Sequence, residues 1–346
     1  MSSRGCNCKG KPGVALGDVP ASAPQEARQL STVTTWRDTI GGWRVRWSLG
    51  RMDYAVLPGL YRVGAPDAES PVLVTANYKL TVDAVRSQLT GLSVWLLVLD
   101  TKGVNVWCAA GKGTFGTGEL VRRIASVGLA DIVRRRNLIV PQLGATGVAA
   151  HEVKQATGFS VRYGPVRASD IPAYLAAGMR ATPAMRQVRF GWKDRLVLAP
   201  VELVGALKPL GLIAAALLAL NLVRDHRLTG RFAADVAPFV AAVLTGGVLA
   251  PLLLPWLPSR YFALKGAIAG MVLSVVLRAI LPWGIAETAG TSLLVVAITS
   301  FMAMMFTGST TFTTLAGARL EVRRALPPIL AAAAIGAILR VAAFFV

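Results

Sequence analysis

Cysteine and histidine are scarce in this chain of 346 residues, which has three of the first and two of the second. Cys6, Cys8 and Cys108 make an odd count spread over a long chain, which excludes a disulfide framework and fits a reducing compartment. Each thiol is then a candidate metal ligand. The usual four thiolates of a 4Fe-4S cluster are not available, so no cluster of the chain's own is expected. Acidic side chains are also few: 18 Asp and Glu stand against 37 Lys and Arg, a net charge of +19. This suits anionic lipid headgroups, acidic proteins or phosphorylated ligands better than nucleic acid. The first 30 residues hold no apolar run, so no secretory signal is read and the leading domain is expected in the cytoplasm.

What the chain has in excess is apolar residues, 54% of the total, and nearly every long uncharged run lies after Arg195. Five segments there approach the roughly 20 residues that a bilayer crossing requires. They are about 203–223, 236–257, 262–283, 288–306 and 326–346. Cations cluster before the first span (Arg180, Arg186, Arg189, Lys193, Arg195), at Arg260 and Lys265, and at Arg319, Arg323 and Arg324. The excess of positive charge on cytoplasmic loops places these inside an inner membrane and leaves Val346 outside. Arg224, Arg227 and Arg231, in the first connection, conflict with this orientation. Lys208, Arg278 and Arg340 lie within or at the ends of spans, where a charge marks a pathway or snorkels to the interface. The methionines at 302, 304 and 305 read as packing or as soft ligands. Trp36, Arg37, Trp43, Arg44, Arg46 and Trp47 form a basic, aromatic stripe of the kind found at the headgroup layer.

The first half reads differently. Strands are expected at Pro71 to Ala76, Val94 to Asp100, Leu138 to Pro141 and Ser160 to Tyr163. They alternate with helices at Thr81 to Leu89, Gly118 to Val133, Gly147 to Thr157 and Ile171 to Ala177. This alternation predicts a parallel α/β doubly wound, Rossmann-like sheet domain. An all-α transmembrane domain of about five helices follows it. The limits read as a flexible tail and lead-in over 1–45, the sheet domain over 46–180, a juxtamembrane linker over 181–202 and the membrane domain over 203–346. Such sheets bind ligands beyond the carboxyl ends of their strands, which directs attention to the loops after Ala76, Asp100 and Pro141.

The stretch from Asn105 to Thr117 follows one of these strands. A P-loop aligned on Gly111-Lys112 fails, because Val106 stands where the first glycine belongs and Gly113 where the hydroxyl belongs. Gly111, Gly113 and Gly116 satisfy the dinucleotide fingerprint, and Asp131 lies downstream, but the first glycine comes too late after the strand and Asp131 falls on a helix. A short helix around Trp107-Cys108-Ala109-Ala110 remains, bordered by Asn105 and by glycines. A lone cysteine is often structural. At the edge of such a sheet, with Lys112 four residues on to favour the thiolate, it is equally a metal ligand, and these residues alone leave both readings open.

The string Asn105-Val-Trp-Cys-Ala-Ala-Gly-Lys112 resembles the cap-helix signature of HgcA, the corrinoid protein family of bacterial mercury methylation. The similarity runs from about Trp47 to the last span and includes Thr75 to Tyr78, Leu138 to Ala145, Tyr163 to Arg167 and Phe306 to Phe312. The sheet domain of that family is in turn similar to the corrinoid iron-sulfur protein of acetyl-CoA synthesis. The resemblance implies a cobalamin-type corrinoid with Cys108 as the lower axial ligand to cobalt. It implies a cap formed by Asn105, Val106, Trp107, Ala109, Ala110, Gly111, Lys112 and Thr114, and a cofactor rim at Thr75, Asn77, Thr81, Gly144 and Ala145. The Asp-x-His-x-x-Gly string that supplies a histidine ligand in methionine synthase relatives is not present, and neither His151 nor His226 stands in such a setting.

The activity implied is corrinoid-dependent methyl transfer to Hg(II), a soft cation that suits a thiolate-ligated methyl donor. The implied partners are a ferredoxin-like protein with two 4Fe-4S clusters (HgcB-type), a methyltetrahydrofolate-type methyl donor or its methyltransferase, and the lipid bilayer. Three rivals stay open: a membrane-bound corrinoid carrier of one-carbon metabolism with another acceptor, a transporter with a nucleotide-binding domain, and a plain anchored scaffold. Cys6 and Cys8 either capture Hg(II) or are incidental thiols of a tail.

Overall fold

The computed structural model describes residues 26–226, 230–281, 283–310 and 313–345. Cys6 and Cys8, Arg227, Thr311, Phe312 and Val346 fall outside them. Two compact units emerge. One runs to Gly42 and resumes over Met52–Gln187; the other takes Trp43–Arg51 and the described residues from Val188 on.

In the first unit, β1 (Arg28–Gln29), β2 (Gly59–Val63), β3 (Val72–Ala76), β4 (Val94–Leu99), β5 (Asn137–Val140) and β6 (Ser160–Tyr163) form one sheet ordered β1-β2-β4-β3-β5-β6. Every residue of β3 and β4 is buried, as their unbroken apolar runs require. The four strands expected from the sequence, β3 to β6, are parallel neighbours, and β2, which the sequence reading left out, runs antiparallel to β4 and makes the sheet mixed. The cause is chain length, since residues 64–71 are too few for the crossover of a dozen or more that a parallel return needs.

Helices cover both faces. After α1 (Trp36–Arg46) come α2 (Lys79–Arg86), α3 (Val106–Lys112), α4 (Thr117–Ser126), α5 (Leu129–Ile132), α6 (Ala150–Thr157) and α7 (Ile171–Ala176). One core packs Val106, Ala109, Leu120, Leu129 and Val153 on Val74, Leu97 and Leu138. The other packs Val82, Ile171 and Tyr174 on Leu73, Leu96 and Ile139. The helix expected over Gly118 to Val133 is broken in two where Gly128 turns left-handed at φ +59°. From β3 the chain winds to β4 on one side and then to β5 on the other, so a crevice opens at the carboxyl ends of β3 and β5.

Asp38 of α1 holds α2. Its carboxylate accepts from Lys79 Nζ at 2.5 Å and Arg86 Nη2 at 2.8 Å, while Asp83 accepts from the same two cations at 2.7 Å each. The Lys79 contact, above all, keeps the Asp38 carboxyl far below the usual range, against the opposing effect of burial.

The second unit is helical: α8 (Trp192–Leu196), α9 (Ala199–Asp225), α10 (Gly230–Leu244), α11 (Ala250–Leu253), α12 (Phe262–Ile280), α13 (Ile285–Met305) and α14 (Leu315–Phe345). A π-helical turn over Thr245–Leu249 joins α10 to α11. Five helical stretches, Trp192–Val223, Arg231–Leu253, Phe262–Ile280, Ile285–Gly308 and Ala316–Ala343, are long and apolar enough to cross a membrane. Their packing relies on small residues. A Cβ on Gly266 would lie 2.3 Å from Thr299 O and one on Gly270 2.1 Å from Thr299 Oγ1, so α12 touches α13 backbone to backbone. Met302 and Met304 are packing residues here, set among Ala206, Val243, Ala263 and Ile329.

Lys208 and Arg278 are exposed, but Arg340 is buried. Its guanidinium reaches Asp235 Oδ1 at 2.5 Å and Glu287 Oε1 at 3.0 Å, and Arg231 reaches the same Glu287 oxygen at 3.0 Å. Asn221 Nδ2 donates to the second Asp235 oxygen at 3.0 Å. Arg231, which conflicts with the expected orientation as a bare loop cation, is thus part of a charge-balanced network. Removing one member strands a buried charge, at a cost of about 3–5 kcal/mol. Arg340→Met is expected to lower the unfolding temperature in detergent sharply, and Lys208→Met to leave it unchanged. In the first unit the folded Asp38 carboxyl lies below its unfolded value of about 3.9. Its contribution is therefore complete above that pH and lost as pH falls further; acid unfolding monitored through α1–α2 should lose this dependence in Asp38→Asn.

Candidate functional site

The loops that leave β3, β4 and β5 meet at the crevice. Asn77, buried just after β3, fixes the loop after β4: its Oδ1 accepts from Thr101 N at 3.1 Å and Gly103 N at 3.0 Å and lies 2.8 Å from Thr101 Oγ1. Thr101 is fully buried, and its hydroxyl also lies 2.6 Å from Val104 O. These bonds hold a turn in which Lys102 and Gly103 are both left-handed, at φ +57° and +68°. Glu119 of α4 secures the same loop by accepting from Asp100 N at 2.9 Å, with Arg122 and Arg123 as its counter-charges.

The turn delivers the chain to α3. Asn105 caps this helix through Oδ1, which accepts from Cys108 N at 2.9 Å, and Gly113 ends it in the left-handed region at φ +83°. Ala109 O then accepts from Thr114 N at 3.0 Å and Phe115 N at 3.1 Å, with the Thr114 hydroxyl at 3.4 Å. Gly113 and Gly116, which cap the end of α3 and the start of α4, therefore separate the two helices, while Gly111 lies inside α3. Val106, Ala109 and Ala110 face the core, whereas Trp107 and Cys108 are half-buried and Gly111 and Lys112 exposed. Cys108 is a free thiol. One turn from it, a Cβ on Gly111 would meet nothing within 4 Å. The outward side of α3 is thus a thiol beside a bare stretch of backbone, flanked by Trp107 and Lys112.

Below α3 lies the segment after β5. A Cβ on Gly147 would sit 2.1 Å from Phe115 O and 3.1 Å from Ala110 Cα, and one on Gly144 2.5 Å from the Phe115 ring. Only glycine lets the two segments approach so closely. Thr117 binds the segment from both sides, donating N–H to Gly147 O at 3.1 Å and accepting from Ala149 N at 2.9 Å. Ala145 is half-buried in the turn after Gly144.

The structure thus brings Asn105 to Thr114 together with Gly144 and Ala145, and ties Asn77 to them through the loop. Thr75 and Thr81 are placed apart. Thr75 shares the sheet face of Leu73, opposite the one that packs α3, and its buried Oγ1 has no hydrogen-bond partner. Thr81 is half-buried in the first turn of α2. Thr101, Thr117, Glu119 and Gly147 escape the sequence reading. For Thr101 a signal exists: it is a polar residue two positions beyond a buried apolar strand, where Asn77 stands one position beyond another. Among the described residues no three His, Cys, Asp or Glu side chains cluster as a metal set.

Two substitutions probe this construction. Asn105→Ala removes the cap and should cost about 1 kcal/mol. Asn77→Leu leaves the buried Thr101 N–H unsatisfied and should cost about 1–3 kcal/mol. Chemical denaturation gives both values, and amide exchange over 101–108 should accelerate in both variants.

Residues 45–175 match the family described as CO dehydrogenase/acetyl-CoA synthase delta subunit. The acetyl-CoA decarbonylase/synthase complex subunit gamma of Methanopyrus kandleri is 34% identical over 179 residues, covering 46% of this chain and 38% of that protein. The subunit of the same description from Methanothermobacter thermautotrophicus is 36% identical over 160 residues, covering 46% and 33%. The corrinoid/iron-sulfur protein large subunit of Moorella thermoacetica is 34% identical over 122 residues, covering 35% and 27%. The chain therefore spans only about a third of the length of these relatives. Over residues 45–175 the chain is similar to the CO dehydrogenase/acetyl-CoA synthase delta subunit, and among the described residues five helices of membrane length follow.

Proposed function

We propose that this chain is a membrane-anchored corrinoid methyl carrier in which Cys108 is the lower axial ligand to cobalt and Hg(II) is the methyl acceptor. The observation that carries the reading is the outward side of α3, where one free, half-buried thiol stands beside the bare backbone of Gly111 at the crevice of the sheet. Among the described residues no second His, Cys, Asp or Glu set accompanies it. A single protein ligand suits a metal whose other positions are filled by a macrocycle. A planar group can lie against α3 because position 111 has no side chain.

The corrinoid, when bound, supplies the transferable methyl group and the cobalt redox chemistry. The residues of the chain do the remainder. Cys108 would hold the metal through its sulfur, and the Asn105 cap keeps the turn that carries it in place. Trp107 shields one side from water, and Lys112 puts a cation on the other. Gly144 and Ala145 form the floor; Thr75, buried on the other face of β3, and Thr81, in α2, stand apart from it. Asn77 is a positioning residue, since its carbonyl oxygen is already engaged by the loop. Hg(II), a soft cation, is a suitable acceptor beside a thiolate-ligated centre. The cap motif supports mercury as acceptor through its resemblance to the family of mercury methylation.

The helical region is read as an inner-membrane anchor, with the sheet domain in the cytoplasm and the last helix ending outside. The five membrane-length helices and the cations around Arg189, Arg260 and Arg323 support this. Electrons are assigned to a ferredoxin-like partner with two 4Fe-4S clusters, and the methyl group to a methyltetrahydrofolate-type donor. A second reading has its own support in the names of the relatives: a corrinoid carrier serving one-carbon metabolism, with an acceptor other than mercury.

The test is the cobalt content and visible spectrum of the full chain loaded with a corrinoid under reducing conditions, for the wild type, Cys108→Ala and Cys108→His. A thiolate-ligated cobalt spectrum in the wild type, lost in both variants together with methylmercury formation from Hg(II), is the expected result. Unchanged ligation in Cys108→Ala would remove Cys108 from the mechanism. A loaded wild type that forms no methylmercury would leave the one-carbon reading.

A further inference from the structure

The helix α1 carries an apolar face that the proposed chemistry does not use. Trp36, Ile40, Trp43 and Trp47 are spaced four, three and four residues apart, which puts them on one side of a helix within about 60°. Trp47 N donates to Trp43 O at 3.1 Å, so the helical geometry continues through the last of them. All four are exposed, at 68%, 50%, 62% and 41%. The opposite side is engaged: Asp38 is ion-paired, Gly42 lies against Leu80, and Val45 is buried. Arg37, Arg44 and Arg46 project from the two flanks and are exposed, with the Arg37 guanidinium 5.4 Å from the Trp36 ring centre.

Monomeric soluble proteins rarely leave three tryptophans in one open stripe. The distribution here, aromatic rings on one side, arginines at the margins and the third side anchored in protein, is that of a helix lying in the plane of a membrane surface. Within the second unit Trp47 meets the spans. Trp47 lines a groove of about 220 Å³ with Leu203, Leu207, Val240 and Leu244, and Leu207 and Leu244 are themselves exposed apolar residues of α9 and α10.

We infer that α1 is an interfacial helix that lays Trp36, Ile40, Trp43 and Trp47 into an anionic lipid leaflet, with Arg37, Arg44 and Arg46 on the phosphate headgroups. The inference rests on the membrane placement of the five spans. Rings of this kind are at home at the headgroup level, and each arginine near an anionic surface adds to the attraction.

The test uses the full chain in nanodiscs, with Cys6, Cys8 and Cys108 replaced by Ser and a spin label at Ile40→Cys or, as a span control on exposed α12, at Val275→Cys. Relative accessibility to oxygen and to a water-soluble nickel chelate is measured. Label 40 is expected to favour oxygen over nickel well above an aqueous label, and to do so less in discs of neutral lipid and in Arg37→Gln/Arg44→Gln/Arg46→Gln. A water-exposed label 40 beside a lipid-exposed label 275 would overturn the inference and leave the membrane placement standing. Shielding of label 40 from both reagents would mean that protein covers the stripe and would overturn it too. A label 275 outside lipid would remove the membrane placement itself. An oxygen preference at 40 unaffected by lipid charge would overturn the assignment of the arginines to headgroups.

Discussion

One amide oxygen decides where the chemistry of the first unit can occur. Asn77 stands at the end of β3, and its Oδ1 gathers two backbone N–H groups and a hydroxyl from the loop that follows β4. Without these bonds the loop would have buried donors unpaired and a turn with two consecutive left-handed residues unsupported. With them, α3 begins at a set place, its cap satisfied by Asn105, and the Cys108 thiol faces outward. The thiol gains its setting from a side chain at the end of the neighbouring strand.

The second requirement is closeness. Gly144 and Gly147 allow the segment after β5 to touch Phe115 and Ala110, which draws the floor of the crevice against α3. The same device recurs in the helical unit, where Gly266 and Gly270 bring α12 onto α13. In lipid the gain from such contacts is dispersion and hydrogen bonding, since apolar burial between helices counts for little there. The buried charges of that unit follow a related logic. Asp235, Glu287, Arg231 and Arg340 sum to zero, and each carboxylate lies against more than one partner, Asp235 against Arg340 and Asn221 and Glu287 against Arg231 and Arg340, which is the arrangement a low-dielectric interior tolerates.

Much of this was legible beforehand. Apolar runs of strand length located β3, β4, β5 and β6 within a residue or two, and runs of about 20 residues located the five long helices. The cap helix was legible because an asparagine and glycines bracket it. The strands β1 and β2 were not, since β1 has only two residues and β2 carries an arginine in its apolar run, and neither was the break at Gly128, where a single φ sign divides one helix pattern into two. Arg340 read as a lone charge near the end of a span. Its partners lie 105 and 53 positions away in the chain, beyond any local pattern.

By itself the sequence determined the two-part organisation, the helix and strand periods, and the string around Cys108, because hydrophobic period, capping and charge content are local properties of a chain. The tertiary structure decided which face of α3 the thiol occupies, the antiparallel entry of β2, the separation of Thr75 from the cap by the sheet, and the pairing of the buried charges. These depend on which distant segments come within a few ångströms of one another. Only the closed hydrogen bonds and backbone contacts of the folded chain can settle that.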